Sequence, residues 1–302
     1  MKFLLIFLFT TSLPAYASQN ASLVDDPSTS LIIYEVQTES KSSEGSSGSS
    51  NSRSTIVERI IGEREEGLEL EYSFPKGDVP EIEAWKLPAR VLNKPGSHIE
   101  LLNKAEINAR LDAFLEKHPE IRKHCGGVVF TWAAFEIHCD TNHVVDVIAG
   151  YNLYLGALSE GQLYTEPGAL APAPLKVAPS ETPNQIYEVT LVLDPVLLQS
   201  EYEKSMEQAA AITGMDAIEL INSSLHLGAG EQPDFSGTRV VVLEASSDGR
   251  VEKIQRQTTI VIKGGGLFHE VRKQKESLKR RPINQDVSDE EQRYKDAHME
   301  GR

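Results

Sequence analysis

Cysteine is scarce: the 302-residue chain holds two, Cys125 and Cys139. Neither stands directly after the leader's cleavage site, so a bacterial lipoprotein anchor is not indicated. Long apolar runs are missing as well. The run from Phe3 to Phe9 is too short to span a hydrocarbon layer of about 30 Å. No later stretch approaches the roughly 18 apolar residues of a membrane helix, so the chain is expected not to span a membrane. Positive charge is in deficit, with 30 Lys+Arg against 45 Asp+Glu and a formal charge of −15. Holding a polyanion needs clustered cations, which argues against nucleic acid as a partner. Catalytic strings are absent too. No Gly-x-x-x-x-Gly-Lys-Ser/Thr loop exists to cradle a phosphate, and no Gly-x-Ser-x-Gly elbow exists to present a serine.

What is present begins with a leader. Lys2, the apolar run and Ala15-Tyr16-Ala17 form the pattern of a secretory signal peptide over residues 1–17, cut near Ala17. The mature protein is expected in the periplasm or secreted. A hydrophobic content of 40% can fill a real core.

The remaining sequence predicts an α+β protein: two halves of antiparallel sheet covered by amphipathic helices, with a disordered tail. In the first half, residues 31–163, Ile32, Tyr34 and Val36 alternate with Ile33, Glu35 and Gln37 on a strand. A Ser/Gly-rich loop is expected at 41–54, since that segment has nothing to bury. Two strands flank Glu65-Glu66-Gly67, and the alternation of Leu68, Leu70 and Tyr72 with Glu69 and Glu71 predicts one buried and one wet acidic face. A helix follows with Asn103 as N-cap, Glu106 as capping-box partner and an apolar stripe of Ile107, Leu111, Phe114 and Leu115. Another is expected from Thr141 to Leu155.

Residues 164–185 hold five prolines and read as a linker. The second half, 186–262, shows a strand, a helix opened by Asp194-Pro195 and closed by Gly214, a shorter helix over Asp216 to Ser224, and a hairpin turning at Asp248-Gly249. From 263 to 302 low hydrophobicity and many charges predict disorder. Within that tail Arg272 to Arg281 is locally basic.

The chemistry-bearing stretch is Arg122 to His143. Val128–Trp132 and Phe135–Cys139 are β-type runs joined by a short turn, which brings Cys125 and Cys139 together at the open end. An exported chain meets an oxidising compartment, so a disulfide is expected. Two sharper readings compete with it. His124, Cys125, His138, Cys139 and His143 offer zinc-type ligands, but adjacent His-Cys pairs on a strand point to opposite faces. A Cys139 thiolate with His143 one turn on would be a nucleophile and base, the basis of a periplasmic hydrolase or thiol-enzyme alternative. Ser224 and His226 are neighbours without a third triad member. No catalytic, cofactor-binding or metal residue is therefore assigned, and no cofactor is implied.

"YEVQTES" with "EGSSGSS", "VER", "GLELEY" and "HCGGVVFTWAAFEIHCD" resemble a family of uncharacterised exported proteins of Gram-negative bacteria. The resemblance covers mainly the first half and implies a periplasmic setting, with no activity or site residue attached. The expectation is a non-enzymatic envelope protein, a ligand-binding or interaction module. Its partner would be an apolar envelope ligand or an envelope protein.

Overall fold

The computed structural model describes residues 28–283, except 76–78, 80, 95–97, 127, 131–133 and 229. The leader at 1–17 and the tail beyond 283 lie outside the described residues. The first half comprises β1 (Thr29–Ser42), β2 (Ser47–Arg64), β3 (Gly67–Ser73), β4 (Ala89–Lys94) and β5 (His98–Leu101). Helices α1 (Lys104–Lys117) and α2 (Pro119–Arg122), strands β6 (Val128–Phe130) and β7 (Ala134–Glu136), and helix α3 (Asn142–Gly150) follow. Next come β8 (Leu163–Tyr164), β9 (Ala173–Pro174), β10 (Lys176–Ala178) and β11 (Gln185–Val192). The chain continues with α4 (Pro195–Thr213), α5 (Ala217–Ser224), β12 (Asp234–Ala245), β13 (Val251–Lys263) and β14 (His269–Pro282).

Ten strands form one antiparallel sheet in the order β10-β11-β12-β13-β14-β1-β2-β3-β4-β5. The arrangement is α+β with a sheet larger than expected, because the strands of the two halves join where β14 pairs with β1. One apolar cluster draws on both strand groups and on helices α1 and α3. Ile32, Leu70 and Val91 meet Ile107, Ile148, Leu243 and Leu278 in it. A smaller one sets Leu198 and Tyr202 of α4 against Phe235 and Ile262.

Several expectations need correction. The Ser/Gly-rich stretch at 41–54 is not a loop: β1 runs to Ser42, a short turn follows, and β2 starts at Ser47. Small hydroxyl side chains bury little, but a strand already paired on its other edge supplies the backbone partners. Thr38 and Ser50 add a cross-strand hydroxyl contact at 2.6 Å. The tail expected from 263 is ordered to Pro282 as β14, between β13 and β1. Its inward positions include Glu276 and Arg280, so it lacks an apolar alternation, but those charges are paired inside. Gly264 and Gly265 do not uncouple it. A Cβ there would stand 1.9 Å from the Leu225 carbonyl oxygen and 2.0 Å from that of His226, so glycine lets the β13–β14 turn sit against the end of α5. Finally, the face carrying Glu69 is not wet. Glu69 is only 5% exposed and accepts hydrogen bonds from Arg64 and Arg90.

The Pro-rich segment 164–185 lays β10 on the sheet edge and buries Leu175 in the principal core. Pro172, Pro174 and Pro179 sit in or beside short strands, where a missing N–H is tolerated, and Pro167 and Pro183 lie in a turn and a bend. Helix ends follow local chemistry. Asp194 accepts from Val196 N at 2.9 Å, Pro195 opens α4, and Gly214 closes it at φ 72°. Asn103 holds the N-cap position of α1 but makes no cap bond. Its Oδ1 accepts from Arg90 N at 2.9 Å, and its amide donates to Glu106 at 3.1 Å, tying β4 to the helix start. Helix α3 stops at Gly150, short of Leu155. Tyr151 N turns to Ile148 O at 2.9 Å, and Tyr154 N bonds the Asn152 side chain.

Candidate functional site: a recess beside the cysteine pair

Helix α1 starts the construction. Ile107, Leu111 and Leu115 fall on one side at helical spacing and enter the principal core. Arg110, on a neighbouring turn, donates to the carbonyls of Trp85 at 3.1 Å and Pro88 at 2.7 Å. Those two bonds hold the segment 81–88 along the helix, with Trp85 only 4% exposed. Pro119 ends the α1 direction and opens α2, whose Ile121 packs against the same core.

Beyond α2 lies the cysteine stretch. Strands β6 and β7 pair with each other in a two-stranded ribbon separate from the main sheet. The pairing continues toward the base, where Gly126 N donates to Ile137 O at 2.8 Å. Cys125 and Cys139 flank that base as a disulfide-distance pair, Sγ–Sγ 1.99 Å and Cα–Cα 5.3 Å. The Cα separation falls within the roughly 4.4–6.8 Å that such a bridge requires. Cys125 is exposed, while Cys139 packs against the principal core. Asp140 then starts α3 by accepting from Asn142 N at 2.9 Å and His143 N at 3.2 Å.

Between these parts is a recess of about 280 Å³. Its apolar walls are Ile82, Trp85, Leu111, Phe114, Ile121 and Ile137, with Cys139 among the lining groups. Glu83, Lys86 and His138 also line the recess. Lys86 Nζ lies 2.5 Å from Glu83 Oε2, and the lysine side chain is 9% exposed. The His138 ring stacks on that of His143, centroids 3.8 Å apart and planes 14° from parallel. Burial, then the cation of Lys86, then His138 hold the His143 imidazole below its usual range, against the pull of Glu83 and Asp146. The neutral ring is thereby favoured near neutral pH.

The remaining sequence candidates fall as follows. With both sulfurs at bonding distance, no free thiol stands beside His143, and no cysteine among the described residues is free. Among the described residues no group of three His, Cys, Asp or Glu side chains could hold a metal ion. Ser224 and His226 spend their hydrogen bonds on different partners. Ser224 Oγ contacts Tyr202 OH at 2.9 Å and donates to Ile221 O, whereas His226 Nε2 lies 3.1 Å from Glu44. The basic segment Arg272 to Arg281 is divided by strand alternation. Arg272 pairs with Glu270 at 2.8 Å and Arg280 is buried, while Lys273 and Lys275 are exposed.

Sequence reasoning missed two buried ionic networks on the core face of the sheet. Glu58 accepts from Tyr72 OH at 2.9 Å, Tyr154 OH at 3.2 Å and Arg280 Nη2 at 2.9 Å. Arg280 Nη1 donates to Val251 O at 2.9 Å. Glu166 accepts from Tyr164 OH and Arg256 Nε, each at 2.7 Å, and from Arg239 at 3.2 Å. Burial, reinforced by the adjacent glutamates, pushes the Tyr72, Tyr154 and Tyr164 phenols upward, so they stay protonated donors. These groups are engaged with one another and hold strands together. The only signal in the sequence was a glutamate placed in phase with Ile56 on β2.

A second recess, of about 510 Å³, lies over the far ends of the central strands. Thr38, Ser50, Thr258 and Gln274 line it together with the Arg272–Glu270 ion pair. Its lining is more polar than that of the first. The chain matches no family model and no curated protein sequence.

Proposed function

We propose that this chain is an exported, non-enzymatic binding protein of the envelope. It takes a small apolar group, from an envelope ligand or an envelope protein, into the recess beside Cys125 and Cys139. The observation that carries this reading is an apolar recess walled by Trp85, Leu111, Phe114 and Ile137, with Glu83, Lys86 and His138 as its few polar lining groups. Pockets of that composition are the usual form of a small-molecule site. Its size, about 280 Å³, is just under the roughly 300–1,000 Å³ common for such sites. It therefore suits one short chain or one side chain.

Export is supported by the leader pattern and by a cysteine pair at disulfide distance, a bond that persists in oxidising compartments. Among the described residues no helix is long and apolar enough to cross a membrane. We also place the chain with the uncharacterised exported proteins of Gram-negative bacteria that it resembles. Cleavage near Ala17 would leave a mature chain beginning at Ser18.

Magnitudes limit what the apolar walls do alone. Burying about six methylenes at roughly 0.8 kcal/mol each gives about 5 kcal/mol. That corresponds to a Kd of a few tenths of a millimolar at best, before the cost of ordering the partners. Useful affinity needs a second kind of contact.

Native mass spectrometry of protein purified gently from the periplasm tests the reading. The expected spectrum shows the mature chain with an added small-molecule mass or a bound protein, lost on denaturation. The bare chain in every gentle preparation would contradict it.

A further inference from the structure

We propose that the ligand of this recess is an anionic amphiphile: a short alkyl chain lies between Trp85, Leu111 and Phe114, and its carboxylate head lies at Lys86 beside His138 and His143. The inference rests on the recess reading and names the chemistry that the recess selects.

Lys86 is the main argument. Lysine is almost never this buried without an anionic partner, and here a cation lines an apolar recess with its side chain 9% exposed. Its present partner, Glu83, is 40% exposed on its side chain and lies on the same lining, only three positions away. That carboxylate is able to turn to water when another anion takes its place. A ligand carboxylate arriving there gains a charge-assisted hydrogen bond from Lys86, stronger than a neutral one. An ammonium head would instead face Lys86 at close range.

The histidines add the second half of the argument. His138 lines the recess and carries His143 stacked on its ring. The groups facing His143 are Lys86 and Glu83 from the 81–88 segment, His138 from the chain after β7, and Asp146 of its own helix. Burial first, and then the Lys86 cation and the neighbouring His138 ring, outweigh the acids there, which keeps the imidazole from protonating. A ligand carboxylate shifts that balance, so binding draws a proton onto His143. An anionic head should thus be held more tightly as the pH falls toward 6, and an uncharged head should not.

Isothermal titration of the oxidised mature protein with octanoate, octanol and octylammonium, at pH 6.0 and 8.0, tests this. Octanoate should bind at least about tenfold tighter than either other probe at pH 6.0. The preference should shrink at pH 8.0, and the heat at pH 6.0 should depend on the buffer through proton uptake. Lys86→Met should remove the preference, lowering octanoate affinity to that of octanol measured on the same variant. His143→Gln should remove the buffer-dependent heat, which keeps the test valid where the lysine variant folds poorly. Octanol binding as tightly as octanoate would overturn the anionic head and leave the apolar recess standing. No binding of any probe up to millimolar concentration would overturn both.

Discussion

Glu58 and Arg280 stand 222 positions apart in the chain and meet at 2.9 Å, with side chains 2% and 4% exposed. The pair links β2 to β14 past the intervening β1. It makes a strand rich in Arg, Lys and Glu part of the fold. A charge sealed this deeply is stable only with its partner in place. Glu58→Ala should therefore cost about 3 kcal/mol of stability by urea denaturation, because it leaves the buried Arg280 with only the more distant Glu252, at 4.0 Å, as an acidic partner. Replacing both residues with apolar ones, as in Glu58→Leu with Arg280→Met, should cost less than the single change. A single-variant loss under about 1 kcal/mol would contradict the burial of the pair.

Removing β14 tests the same topology more bluntly. It lies between β13 and β1, with Leu278 opposite both Ile254 and Tyr34. A chain ending at Gly266 should lose cooperative unfolding and its dispersed amide spectrum. A dispensable tail would leave both unchanged.

Glu69 sets part of the acid limit. The hydrogen bond from Arg90, then that from Arg64, holds its carboxyl below the usual range, against the opposing effect of burial. The two arginines lie over it and are themselves 42% and 50% exposed, so it is shielded by its partners more than by depth. A folded-state pKa below the unfolded value of about 4.3 stabilises the protein above that pH. The contribution is lost as the pH falls through the lower, folded value. Glu69→Gln should lower stability at pH 7 and flatten the fall in melting temperature below pH 5. An unchanged acid profile would show that the arginines do not hold this carboxylate.

The cysteine pair should stabilise by constraining a short loop. Cys125 and Cys139 are 14 positions apart, for which chain entropy gives about 3 kcal/mol. The double variant Cys125→Ala with Cys139→Ala should shift the urea midpoint to lower concentration accordingly. Alkylation of periplasmic protein should give no label without reductant and two labels with it. Two labels without reductant would mean free thiols and would remove this wall of the recess.

Much of this was legible in the sequence where local chemistry decides the structure. The ends of α4 follow from Asp194, Pro195 and Gly214, and the start of α5 from Asp216, which accepts from Glu219 N at 3.0 Å. The Asp248-Gly249 turn and the meeting of Cys125 with Cys139 are equally local. What stayed hidden depends on partners far away in the chain. Ser50 and Ser52 read as loop residues until β1 is set beside them, and Arg280 reads as tail until Glu58 faces it. Glu69 seemed bound for solvent because Arg90 lies 21 positions away. The recess was illegible for the same reason. Its walls come from the 81–88 segment, two helices and the base of a hairpin, and no single stretch displays them.

The central claim is that the recess at the cysteine pair receives an apolar group. Its most direct test is a methyl spectrum of the oxidised protein, assigned at isoleucine and leucine, during titration with octanol. Saturable shifts should be concentrated at Ile82, Leu111, Ile121 and Ile137, the isoleucine and leucine residues that line the recess. Shifts absent from those four, or centred on another part of the molecule, would contradict the account.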